Sequence, residues 1–182
     1  MNDLHITAGP PDGAIIRRMK KRQQVRKRPN AAFLLSQVGA HAAEVFAGLL
    51  TPLQLDPAHS GILWMLGRSA GMSQRELAST LKIHPSRLVA LLDELEERGL
   101  VERRRHTDRR FYALHLTTKG QTTFEKLMRL AEEHLRLICG ALSKKECEQL
   151  ATLLQRIANE RGLTPGVHPG YRWLGRKIRS KG

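Results

Sequence analysis

The feature that most constrains the fold is a pair of helix starts separated by a very short connection. Ser73, with Glu76 three residues later, forms a capping-box pattern that predicts the start of a first helix. Lys82 and Ile83 predict a tight turn directly after this helix. Pro85 then suits the first position of a second helix. Two helices this close in sequence pack against each other across their turn, so we expect a helix-turn-helix.

The second helix has one buried face and one outward face. Leucines recur at the spacing of a buried stripe, at Leu88, Leu91, Leu92 and Leu95. The outward positions are then Pro85, Ser86, Arg87, Val89, Ala90, Asp93 and Glu94. Gly99 is placed to end the helix as its C-terminal cap.

A charged turn between two strand-like segments follows the second helix. The sequence VERRR comes before the turn HTDRR, and FYALHLT comes after it. In the later segment Tyr112, Leu114 and Leu116 alternate with Phe111, Ala113 and His115, which predicts a strand with one buried face. We therefore expect a short β-hairpin, or wing.

Further helices are predicted on both sides of this unit. Residues 31 to 50 carry apolar side chains at helical spacing over a broad face, and Asp56 with Pro57 predicts the start of another helix. A long helix from Thr118 and a last helix capped by Ser143 follow the wing. The expected fold class is mainly α: a winged helix-turn-helix with flanking dimerisation helices and a short β-hairpin wing.

The positive charge is concentrated in three places. The net charge is +14, and residues 1 to 29 contain eight Lys or Arg against two Asp. Residues 164 to 182 contain five basic residues and no acid, and residues 98 to 110 contain six Arg. This distribution points to a polyanionic partner. The N-terminal segment is predicted to be a mobile basic arm, with a solubilising tail as the alternative.

The sequence also argues against several classes of protein. Its beginning lacks the apolar core of a signal peptide, and we expect no stretch to reach the roughly 18 apolar residues of a membrane span. A cytoplasmic protein without a membrane partner is therefore expected. No Ser/His/Asp grouping, phosphate-binding glycine loop or carboxylate pair suggests an enzyme, and residues 132 to 134, EEH, are expected on an exposed helix face.

Neither a metal site nor a cofactor is expected. The eight histidines are scattered, and none of them pairs at the close, same-face spacing of a helical zinc site. Cys139 and Cys147 lack the CxxC spacing. We expect both to be small core or interface residues, with a redox role as the less favoured alternative.

The predicted helix-turn-helix suits double-stranded DNA. A major groove about 12 Å wide admits an α-helix, whose first turn presents side chains to base edges. The predicted contacts on that helix are Pro85, Ser86, Arg87, Val89 and Ala90. Arg87 is the residue expected to bind guanine bidentately, with a phosphate contact or a solvated surface position as the alternatives.

Two further groups complete the predicted DNA interface. One is the start of the first helix of the pair, at Ser73, Gln74 and Arg75. The other is the wing, at Arg104, Arg105, Asp108, Arg109 and Arg110. Arg109 or Arg110 is expected in the adjacent minor groove, where narrow A·T-rich DNA has enhanced negative potential, and Asp108 is expected to anchor one of them.

Residues 31 to 162 resemble the multiple antibiotic resistance regulator (MarR) family. The resemblance rests on four segments in order: SQRELASTL, SRLVALLDELEERGLVER, DRR and LTTKG. It implies a homodimer in which the first and last two helices of each chain interleave. It also implies binding to a pseudo-palindromic operator, and release by a small, phenolic or anionic effector bound between the two domains.

Two positions depart from the family pattern. Lys82 stands where the family often has Gly, and a left-handed Lys would cost about 1 kcal/mol, so a turn of different build is expected. His84 stands where Ser, Asp or Thr is the usual N-cap. The first helix also lacks the cysteine of the peroxide-sensing branch, which argues against that chemistry.

Possible effector-pocket residues are His41, Phe46, His59 and Trp64, for each of which ordinary packing is the alternative. The expected organisation is a basic arm (1–30), a dimerisation helix (31–55), the winged domain (56–118), two dimerisation helices (119–163) and a basic tail (164–182). The leading hypothesis is a ligand-responsive transcription regulator, more often a repressor. The alternative is a ligand-independent DNA-organising protein that uses its basic arms for low-specificity binding.

Overall fold

The structure is a computed structural model that describes residues 30 to 105 and 112 to 168. The predicted basic arm up to residue 29 lies outside the described residues. So do Asp108, Arg109 and Arg110 of the predicted wing, and the basic tail from residue 169 onward.

The described elements follow the predicted order, and the predicted fold class is confirmed. The helices are α1 (Ala31–Leu50), α2 (Pro57–Arg68), α3 (Gln74–Leu81), α4 (Pro85–Glu97), α5 (Thr118–Cys139) and α6 (Lys144–Glu160). A short 3-10 helix, Thr51–Leu53, follows α1. The strands are β1 (Met72–Ser73), β2 (Val101–Arg105) and β3 (Tyr112–Leu116), in the antiparallel order β1-β3-β2.

The described residues fall into two units, which divide after Ala40. The second unit contains the helix-turn-helix and its core. The side chains that are almost completely buried there are Leu50, Ile62, Leu63, Leu66, Leu77, Leu81, Leu88, Leu92, Leu95 and Leu114. The predicted leucine stripe of α4 is confirmed, because Leu88, Leu91, Leu92 and Leu95 are its buried residues.

The capping boxes predicted from sequence are confirmed. The Ser73 hydroxyl accepts from the Glu76 amide at 3.2 Å, and the Glu76 carboxylate accepts from the Ser73 amide at 2.8 Å. The same reciprocal pair joins Ser143 and Glu146 at the start of α6. Each pair satisfies two amides that a helix start leaves without a partner, which fixes where these helices begin.

The turn between α3 and α4 is left-handed at Lys82, with φ 53° and ψ 38°. The expectation that Lys82 would force a turn of different build is therefore wrong. Ile83, the next residue, is 5% exposed, and its amide donates to the Ala78 carbonyl at 3.1 Å. Burial of Ile83 stabilises by about 1.5 to 3 kcal/mol, which outweighs the backbone cost at Lys82.

The wing hairpin is confirmed, but the predicted alternation along β3 is wrong. Tyr112 is 55% exposed, whereas Ala113 and Leu114 are both buried. The reason is that β3 is the central strand: Ala113 pairs with Ser73 on one side and with Arg104 on the other. Tyr112 lies beyond the end of β1, at the far end of the hairpin, where the core no longer covers it. The two-residue strand β1 was not predicted.

The glycine of the LTTKG segment, Gly120, lies where the chain has no room for a side chain. A Cβ built on Gly120 would lie 1.9 Å from the Leu100 carbonyl oxygen. The Thr117 hydroxyl accepts from the Gly120 amide at 3.0 Å and donates to the Gly99 carbonyl at 2.6 Å. Only glycine lets the start of α5 approach the end of the helix-turn-helix this closely.

One helical stretch, Ala31–Leu53, is long and apolar enough to cross a membrane by length and composition alone. The expectation that no stretch reaches that length is therefore wrong. The same composition also suits a helix that packs against other protein, because both surroundings favour apolar side chains.

Candidate nucleic-acid interface

The first turns of α4 carry the predicted base-reading residues. Ser86, Val89 and Ala90 are exposed, and Arg87 is half-buried. The Ser86 hydroxyl lies 2.8 Å from Nδ1 of His84, the residue at the helix N-cap. His84 makes no side-chain cap to the backbone of α4. Its imidazole instead sets the position of the Ser86 side chain.

The second half of α4 is anchored to neighbouring elements. The Asp56 amide donates to Nδ1 of the buried His59, so Nε2 carries the proton and donates to the Glu94 carboxylate at 3.0 Å. The Arg98 guanidinium donates to the Leu53 carbonyl at 2.9 Å and to the Gln54 carbonyl at 2.8 Å. These contacts fix α4 against α2 and against the end of the 3-10 helix.

Arg103 joins the wing to α4. Its guanidinium donates to the Asp93 carboxylate at 2.8 Å and also forms an ion pair with Glu96. The Arg103 side chain is 26% exposed, so water screens these contacts only in part. A residue of β2 thereby fixes the angle between the wing and the helix predicted to read bases.

A groove of about 760 Å³ lies between α3, the start of α4 and the wing. It brings together Ser73, Gln74, Arg75 and Pro85, four of the predicted DNA contacts. The remaining lining residues are Ala78, Ser79, Ile83, Arg103, Tyr112 and Leu114. Arg103 and Tyr112 were not predicted. The arginine cluster is the sequence signal that points to Arg103, whereas the exposure of the Tyr112 ring is visible only in the structure.

Two of the predicted wing arginines lie within the described residues. Arg104 is paired with Glu102, whose carboxylate lies 3.0 Å from Nε and 2.5 Å from a terminal nitrogen of the guanidinium. Arg105 is exposed at the end of β2. Arg105 therefore presents its charge next to the predicted wing tip.

A second candidate site is a cavity of about 170 Å³ lined by Phe46, Ser60, Trp64, Leu127, Ala131 and Gly166. Phe46 and Trp64 are two of the four predicted pocket residues. His59 is buried but faces Glu94, and the exposed His41 is not among the lining residues. The lining residues of α5 and Gly166 were not predicted, because their proximity to Trp64 depends on the tertiary fold.

Aromatic contacts surround this cavity. The Trp64 and Phe124 rings meet edge-on with centroids 6.1 Å apart, and the Phe46 and His134 rings lie 5.3 Å apart. Nε2 of His134 donates to the Ala42 carbonyl at 2.8 Å. The expectation that residues 132 to 134 form an exposed face is therefore wrong for Glu133 and His134, which are half-buried, and right only for Glu132.

The two cysteines are free, half-buried and adjacent in space. A hydrogen bond between the two thiols raises the pKa of Cys147 above its usual value. A raised pKa keeps the thiol protonated at neutral pH, which lowers its reactivity. Across residues 30 to 105 and 112 to 168, no group of three or more His, Cys, Asp or Glu side chains is placed to hold a metal ion.

A capped helix, a tight turn, a helix with exposed first turns and an arginine-rich hairpin define a winged helix-turn-helix DNA-binding protein. The profile of the MarR family matches residues 53 to 110. The transcriptional regulator BilQ of Clostridium symbiosum is 37% identical over 109 residues, 58% of this chain and 76% of the relative. A putative regulatory protein for the hcr operon of Thauera aromatica is 30% identical over 122 residues, 66% of this chain and 74% of the relative. The chain belongs to the MarR family of transcriptional regulators.

Two solved structures agree with this assignment. The transcriptional repressor CouR bound to a 23-mer DNA duplex is 34% identical and has a TM-score of 0.63, covering 71% of this chain and 92% of CouR. CouR from Rhodococcus jostii RHA1 bound to p-coumaroyl-CoA is 29% identical and has a TM-score of 0.60, with the same coverage. The predicted family resemblance is thereby confirmed.

Proposed function

We propose that this chain is a cytoplasmic, homodimeric repressor that binds a pseudo-palindromic operator and is released by a small aromatic ligand. The observation that carries the proposal is the asymmetry of α4. Its second half is fixed by His59, Arg98 and Arg103, whereas its first turns face outward. A helix held in this way presents a rigid end to a major groove.

Base reading is assigned to the first turns of α4. Arg87 binds guanine through its O6 and N7 atoms, and Ala90 and Val89 contact thymine methyl groups. Ser86, held by His84, contributes a hydroxyl that accepts or donates. The position of Pro85 at the groove supports this placement.

Phosphate binding is assigned to the surfaces on either side. Gln74 and Arg75 lie along the groove and contact the backbone; the Ser73 hydroxyl is already engaged with Glu76, so Ser73 acts by capping α3. Arg104 and Arg105 lead to the wing tip, where Arg109 or Arg110 enters the minor groove and Asp108 anchors one of them. The basic arm and tail raise affinity for any duplex.

A dimer accounts for the apolar side chains exposed on the flanking helices. On α6 these are Leu150, Leu153, Leu154 and Ile157, and on α5 they include Leu135 and Leu137. On α1 they are Phe33, Leu34, Leu35 and Val38. Apolar faces of this extent mark protein interfaces. In an isologous pair of chains, each chain covers such faces with the same surface of its partner. We assign α1 to the dimer interface rather than to a membrane, since this chain shares its fold with CouR, a repressor solved in complex with DNA.

The cavity between Phe46, Trp64 and Leu127 is assigned to the effector. Its volume of about 170 Å³ suits a single aromatic ring, since an apolar cavity of about 150 Å³ binds benzene. The p-coumaroyl-CoA bound to CouR carries such a ring. The Ser60 hydroxyl donates to the Pro57 carbonyl at 2.8 Å, so the lining recognises the ring chiefly by shape.

Arg87→Ala in the full chain tests the base-reading assignment. The operator is first obtained by capturing genomic fragments on purified protein and sequencing them. We expect Arg87→Ala to cost about 1 to 3 kcal/mol on the operator and much less on a scrambled duplex. Arg136→Ala, which removes the same charge from an exposed position on α5, is the matched control.

Equal losses on operator and scrambled DNA for Arg87→Ala would remove it from base reading and assign it to a phosphate. The wild-type preference itself separates the two functional hypotheses. A regulator prefers its operator by ~10³-fold or more at physiological salt, whereas a DNA-organising protein does not.

A further inference from the structure

The chain turns back after α6 through a short segment, residues 163 to 168, which we name the C-terminal strap. Gly162, with φ +61°, ends α6, and the Leu163 amide donates to the Ala158 carbonyl at 2.9 Å. This left-handed ending directs the strap away from the axis of α6. The strap therefore begins in a fixed direction.

The middle of the strap is a built turn. The Val167 amide donates to the Thr164 carbonyl at 3.2 Å, with Pro165 second and Gly166 third in the turn. Gly166 has φ +71°. Proline at the second position and a left-handed glycine at the third are the requirements of a type II turn. The turn is thus specified by its own sequence, and it loses little backbone entropy when it docks.

The strap contacts two functional regions at once. Gly166 lines the aromatic cavity together with Phe46 and Trp64. Val167 packs against the hydrophobic core. The other side of the strap faces the helix-turn-helix turn across a cleft of about 140 Å³ lined by Leu81, Lys82, Arg161, Gly162, Leu163, Thr164, Val167 and His168.

We propose that the C-terminal strap couples the aromatic cavity to the helix-turn-helix. A ring in the cavity displaces the Gly166 turn, and the displaced strap changes its packing against Leu81 and Lys82. Lys82 is the left-handed residue that sets the angle between α3 and α4, so a shift there moves the base-reading turns. The ligand shifts the strap because it binds the protein with different affinity when the strap is docked and when it is displaced. This inference rests on the proposed function of the cavity.

The test replaces the unidentified ligand by a side chain. Ala131→Phe places a phenyl ring from α5 in the cavity of the full chain. The readout is hydrogen exchange of the Lys82 and Ile83 amides, which donate to Ser79 and Ala78 in the turn. We expect Ala131→Phe to change exchange at these amides by about fivefold or more. Gln121→Phe, on an exposed position of the same helix, is the control and leaves exchange unchanged.

The strap is then altered in the Ala131→Phe background. With Val167→Asp, which undocks the strap from the core, the effect of Ala131→Phe at Lys82 and Ile83 falls below about twofold. If Val167→Asp lowers the thermal midpoint too far for comparison, Val167→Ala takes its place. We expect it also to reduce the effect of Ala131→Phe on exchange at Lys82 and Ile83. An Ala131→Phe effect of equal size with and without the strap variants overturns the proposal, and so does no effect of Ala131→Phe at all.

Operator binding by the wild-type chain, measured in parallel, separates this result from the proposed function. A wild-type chain without operator preference contradicts the proposed function, whereas the exchange comparison still reports on the strap. If the wild-type chain prefers its operator but Ala131→Phe leaves exchange at Lys82 and Ile83 unchanged, only the proposed coupling through the strap is contradicted.

Discussion

Nε2 of His59 lies 3.0 Å from the Glu94 carboxylate, and this contact joins the start of α2 to the outward face of α4. His59 is 7% exposed, whereas the Glu94 side chain is 59% exposed. The buried His59 therefore fixes the position of this contact, and the exposed Glu94 side chain extends toward it. One histidine serves both the cap of α2 and the position of α4, the helix proposed to read DNA.

We expect His59→Ala to lower the free energy of unfolding by about 2 to 3 kcal/mol, because it removes a buried side chain and two hydrogen bonds. Urea denaturation measures the change. Glu94→Gln keeps an acceptor for Nε2 and costs less than about 1 kcal/mol. Glu97 is exposed on the same helix, and Glu97→Ala is the control. If Glu97→Ala lowers the free energy of unfolding as much as His59→Ala does, the anchoring role of His59 is contradicted.

Arg103→Met is expected to lower the free energy of unfolding by about 1 to 2 kcal/mol, since it leaves the Asp93 and Glu96 carboxylates without their shared partner. Arg105→Met removes the same charge from the exposed end of β2 and is expected to change stability by less than about 0.5 kcal/mol. Both variants weaken DNA binding at low salt. Equal stabilities for the two variants would contradict the role of Arg103 in fixing the wing.

Lys82→Gly is expected to raise the free energy of unfolding by about 0.5 to 1 kcal/mol, because glycine adopts φ 53° without strain. It should also weaken DNA binding by removing a charge next to α4. Lys82→Ala keeps the strain and removes the charge, so it should match the DNA loss without the gain in stability. A destabilised Lys82→Gly protein would mean that the lysine side chain supports the turn in another way.

The Ser143 side chain and backbone hydrogen bonds lower the pKa of Glu146 below its usual range. A carboxylate with a lowered pKa in the folded state stabilises the fold above its ordinary pKa, and that contribution is lost as the pH falls through the lowered value. Ser143→Ala should therefore return the Glu146 pKa toward its usual range, lower the stability of α6 at neutral pH and reduce the part of that stability that is lost in acid. An NMR titration of the Glu146 carboxyl carbon measures this shift, and an unchanged titration would contradict the capping account.

Sequence patterns predicted those parts of the fold that local chemistry decides. Ser73 and Ser143 were recognisable because a capping box needs only two residues at a fixed spacing, and the α4 leucine stripe follows helical periodicity. For His59 the sequence left an effector pocket and ordinary packing as alternatives, since periodicity does not tell which way a buried imidazole faces; in the structure His59 is buried and contacts Glu94. Its partner Glu94 is 35 residues away.

The cavity that we propose for the effector was predicted only in part for a similar reason. Phe46 and Trp64 were recognisable as aromatic residues near a helix junction, whereas Ala131 and Gly166 are small and carry no chemical signal of their own. Their role depends on how α5 and the C-terminal strap return to α2. The alternation along β3 failed because a two-residue strand, β1, covers one edge of its centre.

We propose that two chains place two copies of α4 in successive major grooves of one operator, about 34 to 36 Å apart. Sedimentation equilibrium of the purified chain with its selected duplex measures the stoichiometry directly, given the chain mass of 20.5 kDa. We expect a dimer in the free protein and a complex of two chains per duplex. A stable monomer, or one chain bound per duplex at saturation, would contradict it.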